Sequence, residues 1–220
     1  WYTRSIEWLP SPERPRAFLR VGAANYRARV FLNGEFVGSH RGGSTPFCFE
    51  LTEQLRLGEN RLQVQVDNSR HPSHVPMNHI DWFNDGGLYR DIDFLQLPQV
   101  FIADAMLQLK PMSGFSALDL EITLSDKVSG IANISIPELD ATWCVDIVEG
   151  KARATLDASP VLWSPDRPKR YEVIFAYEGD RIVEQIGFRE IRSEGTRILL
   201  NGESIYLKGI CVHEDDVAAG

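Results

Sequence analysis

A chain of 220 residues with 43% hydrophobic and 25% charged residues has the composition of a folded globular protein, and its length accommodates one large or two small domains. A formal net charge of -8 argues against a polyanionic partner, because nucleic-acid surfaces select clustered Lys and Arg. No apolar run approaches the ~20 residues needed to span a bilayer, so the reading is of a soluble chain with neither a membrane nor a nucleic-acid partner. The compartment, cytoplasmic or periplasmic and secreted, stays open, as does homo-oligomerisation. Cys48, Cys144 and Cys211 are far apart without CxxC spacing, which points to buried or incidental thiols rather than a disulfide framework or a zinc site.

Period-two alternation runs through the chain, and no window of helical length carries an apolar stripe at three and four residues. The fold class expected is therefore all-β. Ala28, Val30 and Leu32 alternate with Arg27, Arg29 and Phe31, and the run ends at Asn33-Gly34, a dipeptide suited to the positive φ angles of a tight hairpin. Phe36 and Val37 begin the return strand. Phe47, Phe49 and Leu51 share one face, and Leu62, Val64 and Val66 alternate with Gln63 and Gln65 after a turn at Leu57 to Asn60. One more strand is expected from Leu88 to Leu97, with a domain boundary near Pro98. Between Asp67 and Gly87 lies an aperiodic stretch of about 20 residues rich in His, Pro, Asn and Asp, long enough to count as a functional loop rather than a plain connection.

The second half restarts the pattern. Ala105, Leu107 and Leu109 are followed by Leu118 to Leu124, Ala132 to Ile136, Val145 and Ile147, and Ala152 to Leu156. A strand with Tyr171, Val173, Phe175 and Tyr177 on one side then turns at Glu178 to Asp180 into Ile182 to Ile186. Roughly seven short strands in about 90 residues is the pattern of an immunoglobulin-like sandwich, here without its paired cysteines. The tail adds a hairpin, Ile198 to Leu200 and Ile205 to Ile210 about Asn201-Gly202, too short to bury a core alone.

Four stretches, in this order, resemble one family. They are ARVFLNGEFVGSHRGGSTPFCFELTEQLRLGENRLQVQVDN at 28–68, DWFNDGGLYRDI at 81–92, LWSPDRPKRYEV at 162–173 with GFREI at 187–191, and ILLNGESIYLKGICVHEDD at 198–216. The family is glycoside hydrolase family two, which contains β-galactosidases, β-glucuronidases and β-mannosidases. The resemblance implies an N-terminal sugar-binding jelly roll at 1–98, an immunoglobulin-like sandwich at 99–190 and, at 191–220, the opening of a truncated catalytic (β/α)8 barrel. Cys211 and Val212 depart from the pattern, since members commonly carry Asn and a basic residue there.

Retaining members use two glutamates about 5 Å apart, which by resemblance lie on later barrel strands, so no catalytic residue is expected in this chain and no cofactor. The resemblance assigns substrate contact to Asp81, an ionised acceptor for sugar hydroxyls, and to His213 at the end of the first barrel strand, with Glu214 beside it. Trp82 offers an apolar ring for stacking on a sugar, with core packing as the plain alternative. Trp1, Trp8, Trp143 and Trp163 are read as core or junction residues, and Arg90 with Asp91 as an ion pair fixing the loop. His71, His74, His79 and Asp81 are the one cluster with ligand chemistry, but their irregular spacing, broken by Pro72 and Pro76, leaves the metal assignment at none. Two functions remain: the non-catalytic front of a β-glycosidase, whose partners are a β-glycoside and a missing catalytic barrel, and a free-standing carbohydrate-binding or adhesion module.

Overall fold

In the computed structural model the described residues are 1–69, 71–75 and 86–211, and they fall into two compact units, Trp1–Gln99 with Ile210 and Cys211, and Val100–Gly209. All regular structure among them is β apart from one 3-10 turn at Pro137–Leu139. No helix of the described residues is long and apolar enough to cross a membrane.

The first unit contains β1 (Tyr2–Trp8), β2 (Arg16–Val21), β3 (Ala24–Asn25), β4 (Arg27–Leu32), β5 (Glu35–Arg41), β6 (Phe47–Glu50), β7 (Gly58–Asp67), β8 (Gly87–Leu88) and β9 (Ile92–Leu97). They form a four-stranded sheet in the order β1-β7-β4-β5, a three-stranded sheet β6-β2-β9 and a short β3-β8 ribbon. All pairings are antiparallel. Because successive side chains alternate between faces, Ala28, Val30 and Leu32 of β4 and Leu62 and Val64 of β7 point inward together, meeting Leu19 and Val21 of β2 and Leu51 in one core. The Asn33-Gly34 turn takes φ values of 53° and 87°, as the hairpin reading required.

Three expectations need correction here. The strand expected from Leu88 to Leu97 is broken at Tyr89–Asp91. There the backbone leaves the ladder to let the Asp91 carbonyl accept from Gly22 N at 2.9 Å, and a Cβ on Gly22 would stand only 2.9 Å from Arg90 Cβ, so the approach depends on glycine. Asn60, read as part of the Leu57 to Asn60 turn, lies within β7 and is 1% exposed. Its Oδ1 accepts from Arg56 N at 2.8 Å and Asn33 Nδ2 at 2.9 Å, and its Nδ2 donates to the carbonyls of Arg56 and Gly58. It ties the end of the β4 hairpin to the start of β7. Trp1 is 69% exposed and lies against Phe31 on the outer sheet face, with ring centres 5.5 Å apart, whereas Trp8 is buried as read.

Arg16 grips Glu50 with both arms, Nε to Oε1 at 2.9 Å and Nη2 to Oε2 at 2.8 Å, joining β2 to β6. The Arg16 hydrogen bonds hold the Glu50 carboxyl below its ordinary value. A carboxylate depressed in this way adds stability above its unfolded pKa and loses it as pH falls through the folded value. With the Glu50 side chain 40% exposed, screening limits the effect to about 1 kcal/mol or less. Glu50→Gln is expected to lower the urea midpoint modestly at pH 7, with wild type and variant converging below about pH 4; a gap that stays constant down to pH 3 would refute the linkage.

The second unit contains β10 (Ile102–Leu109), β11 (Ala117–Leu124), β12 (Gly130–Ile136), β13 (Ala141–Ile147), β14 (Lys151–Asp157), β15 (Tyr171–Tyr177), β16 (Asp180–Ile186), β17 (Ile191–Glu194), β18 (Arg197–Leu200) and β19 (Glu203–Ile205). Sheets β10-β11-β14 and β13-β12-β15-β16 face each other as a seven-stranded immunoglobulin-like sandwich. Leu118, Leu120 and Ile122 of one sheet meet Ile134, Ile136, Val173 and Phe175 of the other. Asp180, read as a turn residue, is 7% exposed, and its carboxylate accepts from Ile102 N at 2.8 Å, anchoring β10 beside β16. The strands β17-β18-β19 form a separate meander. Its last strand stops at Ile205 rather than running to Ile210, and Tyr206 and Ile210 are 84% and 89% exposed, because no neighbouring strand among the described residues pairs with its outer edge. The three cysteines are free and all exposed, which overturns the expectation that they are buried.

Candidate functional site

The first unit positions a polar cavity of about 340 Å³ lined by Arg27, Arg41, Asp67, Ser69, His71, Ser73 and His74. It sits at the end of β7, beside the described residues 67–69 and 71–74. Strand register builds it: Arg27 pairs with Asp67 on one side and with Arg41 on the other, so a carboxylate and two guanidiniums stand in one row across β7, β4 and β5. The register shift between Val30 and Phe31 decides the Arg27–Arg41 pairing. Counting back from the Asn33-Gly34 turn without that bulge sets Arg27 opposite His40, which is why sequence reading did not bring the two arginines together.

Side chains of the loop close over the row. Arg41 Nη2 donates to Ser73 Oγ at 3.2 Å, and Ser73 Oγ lies 2.8 Å from His71 Nδ1. That same Nδ1 accepts from the Ser73 backbone N at 3.2 Å, so a neutral His71 carries its proton on Nε2. His74 stacks on Tyr26, ring centres 3.8 Å apart and 16° from parallel, and Arg41 lies over the Tyr26 ring at 5.8 Å. Desolvation, followed by repulsion from Arg41 and His71, pushes the His74 pKa down and favours its neutral form. Asp67 is held below its ordinary value by hydrogen bonds from Ser69, whose backbone N lies 2.8 Å from Oδ1. The site thus has two fixed positive charges, one fixed negative charge and two imidazoles.

Beyond the loop, Tyr89 donates its hydroxyl to the Gly43 carbonyl, and Arg90 Nη1 donates to the Ser44 carbonyl at 3.1 Å. Arg90 therefore fixes the loop exit through a backbone acceptor rather than through the expected ion pair. A second, more apolar cavity of about 580 Å³ runs along β1 past Tyr2, Arg4, Ile6, Leu62, Val64 and Phe94.

Of the residues assigned to sugar contact from the sequence, Asp81, Trp82, His213 and Glu214 lie outside the described residues, as does His79. Of the histidine cluster, His71 and His74 come together, with ring centres 5.6 Å apart. Among the described residues no three His, Cys, Asp or Glu side chains are grouped as a metal ion requires. Arg27, Arg41, Tyr26, Ser69 and Ser73 are site residues that the sequence did not single out.

Residues 1–98 match the family model described as "Glycosyl hydrolases family 2, sugar binding domain". Similarity continues through the rest of the chain: it is 28% identical over 250 residues to a β-glucuronidase of Paenibacillus borealis, covering 100% of this chain and 41% of that protein. It is 27% identical over 236 residues to a β-galactosidase of Thermoanaerobacter pseudethanolicus, covering 97% of this chain and 31% of that one. A structure of Bifidobacterium dentium β-glucuronidase complexed with coumarin-3-O-glucuronide superposes with a TM-score of 0.82 at 27% identity, over 94% of this chain and 42% of that one. The chain spans well under half the length of these relatives.

Proposed function

We propose that this chain is the non-catalytic front of a retaining β-glycosidase that hydrolyses terminal β-glycosidic bonds. In this reading residues 1–98 are a jelly roll, 99–190 an immunoglobulin-like linker and 191–220 the entry to a (β/α)8 barrel. The observation that carries it is similarity along nearly the whole chain to a β-galactosidase and a β-glucuronidase of which it spans 31% and 41%. A barrel needs about 250 residues, and both glutamates of a retaining mechanism belong there. The two sandwiches brace that barrel, which is their principal partner, while carbohydrate is the ligand and neither nucleic acid nor membrane takes part. Asp81 accepts hydrogen bonds from sugar hydroxyls, Trp82 stacks on the ring, and His213 and Glu214 border the pocket from the first barrel strand.

A screen of chromogenic β-galactosides, β-glucuronides and β-mannosides tests the reading, comparing the full-length protein with the 220-residue chain. Hydrolysis with retained anomeric configuration is expected from the former and none from the latter. An inert full-length protein, or turnover by the chain alone, would overturn it.

A further inference from the structure

The cavity at the end of β7 has a charge arrangement that the hydrolytic reading does not use. Like charges directly opposite on neighbouring strands are destabilising, yet Arg27 and Arg41 are cross-strand partners with a single carboxylate, Asp67, in their row. That carboxylate already accepts from Ser69. Among the described residues Arg27 makes no side-chain hydrogen bond and no salt bridge, and Arg41 commits one donor, to Ser73. His71, with Nδ1 engaged as an acceptor, presents Nε2–H as a further donor. The chain as a whole carries a net charge of -8, so a cavity whose fixed charges sum to a positive value runs against its surroundings.

We propose that this cavity binds an oxyanion, the carboxylate or sulfate of an acidic saccharide. Guanidinium forks match the planar two-oxygen edge of a carboxylate and one edge of a sulfate, and two forks separated by one strand spacing grip an anion from both sides. Ser73, which accepts from Arg41, fixes that guanidinium toward the cavity, and the Tyr26–His74 stack forms a flat wall beside it. Asp67 sets selectivity, because it repels an anion placed at the Ser69 end of the row and leaves the Arg27–Arg41 end as the favoured position. That the oxyanion is carried on a sugar rests on the glycosidase reading; that an oxyanion binds does not.

The 220-residue chain is titrated at pH 7 and low chloride with methyl β-glucuronide, sodium sulfate, sodium phosphate and methyl β-galactoside, following the imidazole resonances of His71 and His74. Saturable shifts are expected with the glucuronide and with sulfate, and none with the neutral galactoside. Arg27→Gln and Arg41→Gln should each weaken binding about tenfold, the loss expected for one charge-assisted hydrogen bond. Arg41→Lys should recover part of the affinity, since it restores the charge without the fork. The unliganded Arg27→Gln protein should melt no lower than wild type, because the like-charge pair is relieved; a purely structural Arg27 would melt lower.

Equal binding of glucuronide and galactoside, or anion binding undiminished in both glutamine variants, overturns the proposal. Response to sulfate or phosphate without response to the glucuronide overturns the saccharide assignment. Since the titration reads binding and not turnover, it stands even if the full-length protein hydrolyses nothing.

Discussion

In the full-length protein Asp81→Ala is expected to lower kcat/KM about 10- to 100-fold on every accepted β-glycoside. A hydrogen bond to an ionised group contributes about 1.5–3 kcal/mol, and each 1.4 kcal/mol of lost transition-state stabilisation is about tenfold in rate. The loss should fall mainly on kcat if the sugar hydroxyl bonds strengthen as the ring flattens toward the oxocarbenium-like transition state. Asp81→Asn should retain part of the activity, because the amide oxygen still accepts while the charge is gone. Thermal midpoints measured alongside separate lost contact from lost fold. Unchanged kcat/KM for the alanine variant on all three substrate classes would remove Asp81 from the pocket.

The largest stability effect is expected at Phe175→Ala, at about 3–5 kcal/mol. Phe175 is fully buried in β15, paired with Ile134 of β12 on one side and Ile182 of β16 on the other. It faces the β10-β11-β14 sheet through the core that includes Leu118, Leu120 and Ile122. Truncation opens a cavity that close-packed neighbours fill only in part. Since a domain of this size is stable by about 5–15 kcal/mol, the second unit should lose a large share of its stability, read as a fall in urea midpoint at unchanged slope. A loss below about 1 kcal/mol would mean that this core is plastic rather than close-packed.

Much of the architecture was legible because a sandwich strand shows one face to oil and one to water. Tyr171, Val173, Phe175 and Tyr177 alternate with Glu172, Ile174 and Ala176 in the sequence, and all four of the first set are buried. The same logic recovered β4, β7, β11 and β12, and Asn33-Gly34 and Asn201-Gly202 both turn with positive φ at each position. Legibility failed where a polar residue does structural work. Asn60 and Asp180 read as turn residues by type, yet each is buried because it satisfies backbone groups from a segment distant in sequence or at a strand end. The break at Tyr89–Asp91 is invisible for a similar reason, since it follows from the approach of Gly22 across the sheet.

For the site, the sequence alone marked a long His- and Pro-rich stretch between Asp67 and Gly87, and the resemblance put forward Asp81 and Trp82 as expected sugar contacts. Tertiary structure decided what stands at the start of that stretch. Side-chain periodicity says which face a residue occupies but not which residue lies opposite, and the β4–β5 register depends on a single extra residue, Val37 of β5, opposite Val30 and Phe31. That one-residue bulge sets Arg27 opposite Arg41, while the unshifted β4–β7 ladder sets Asp67 on the other side of Arg27, a juxtaposition set by hydrogen bonding between strands.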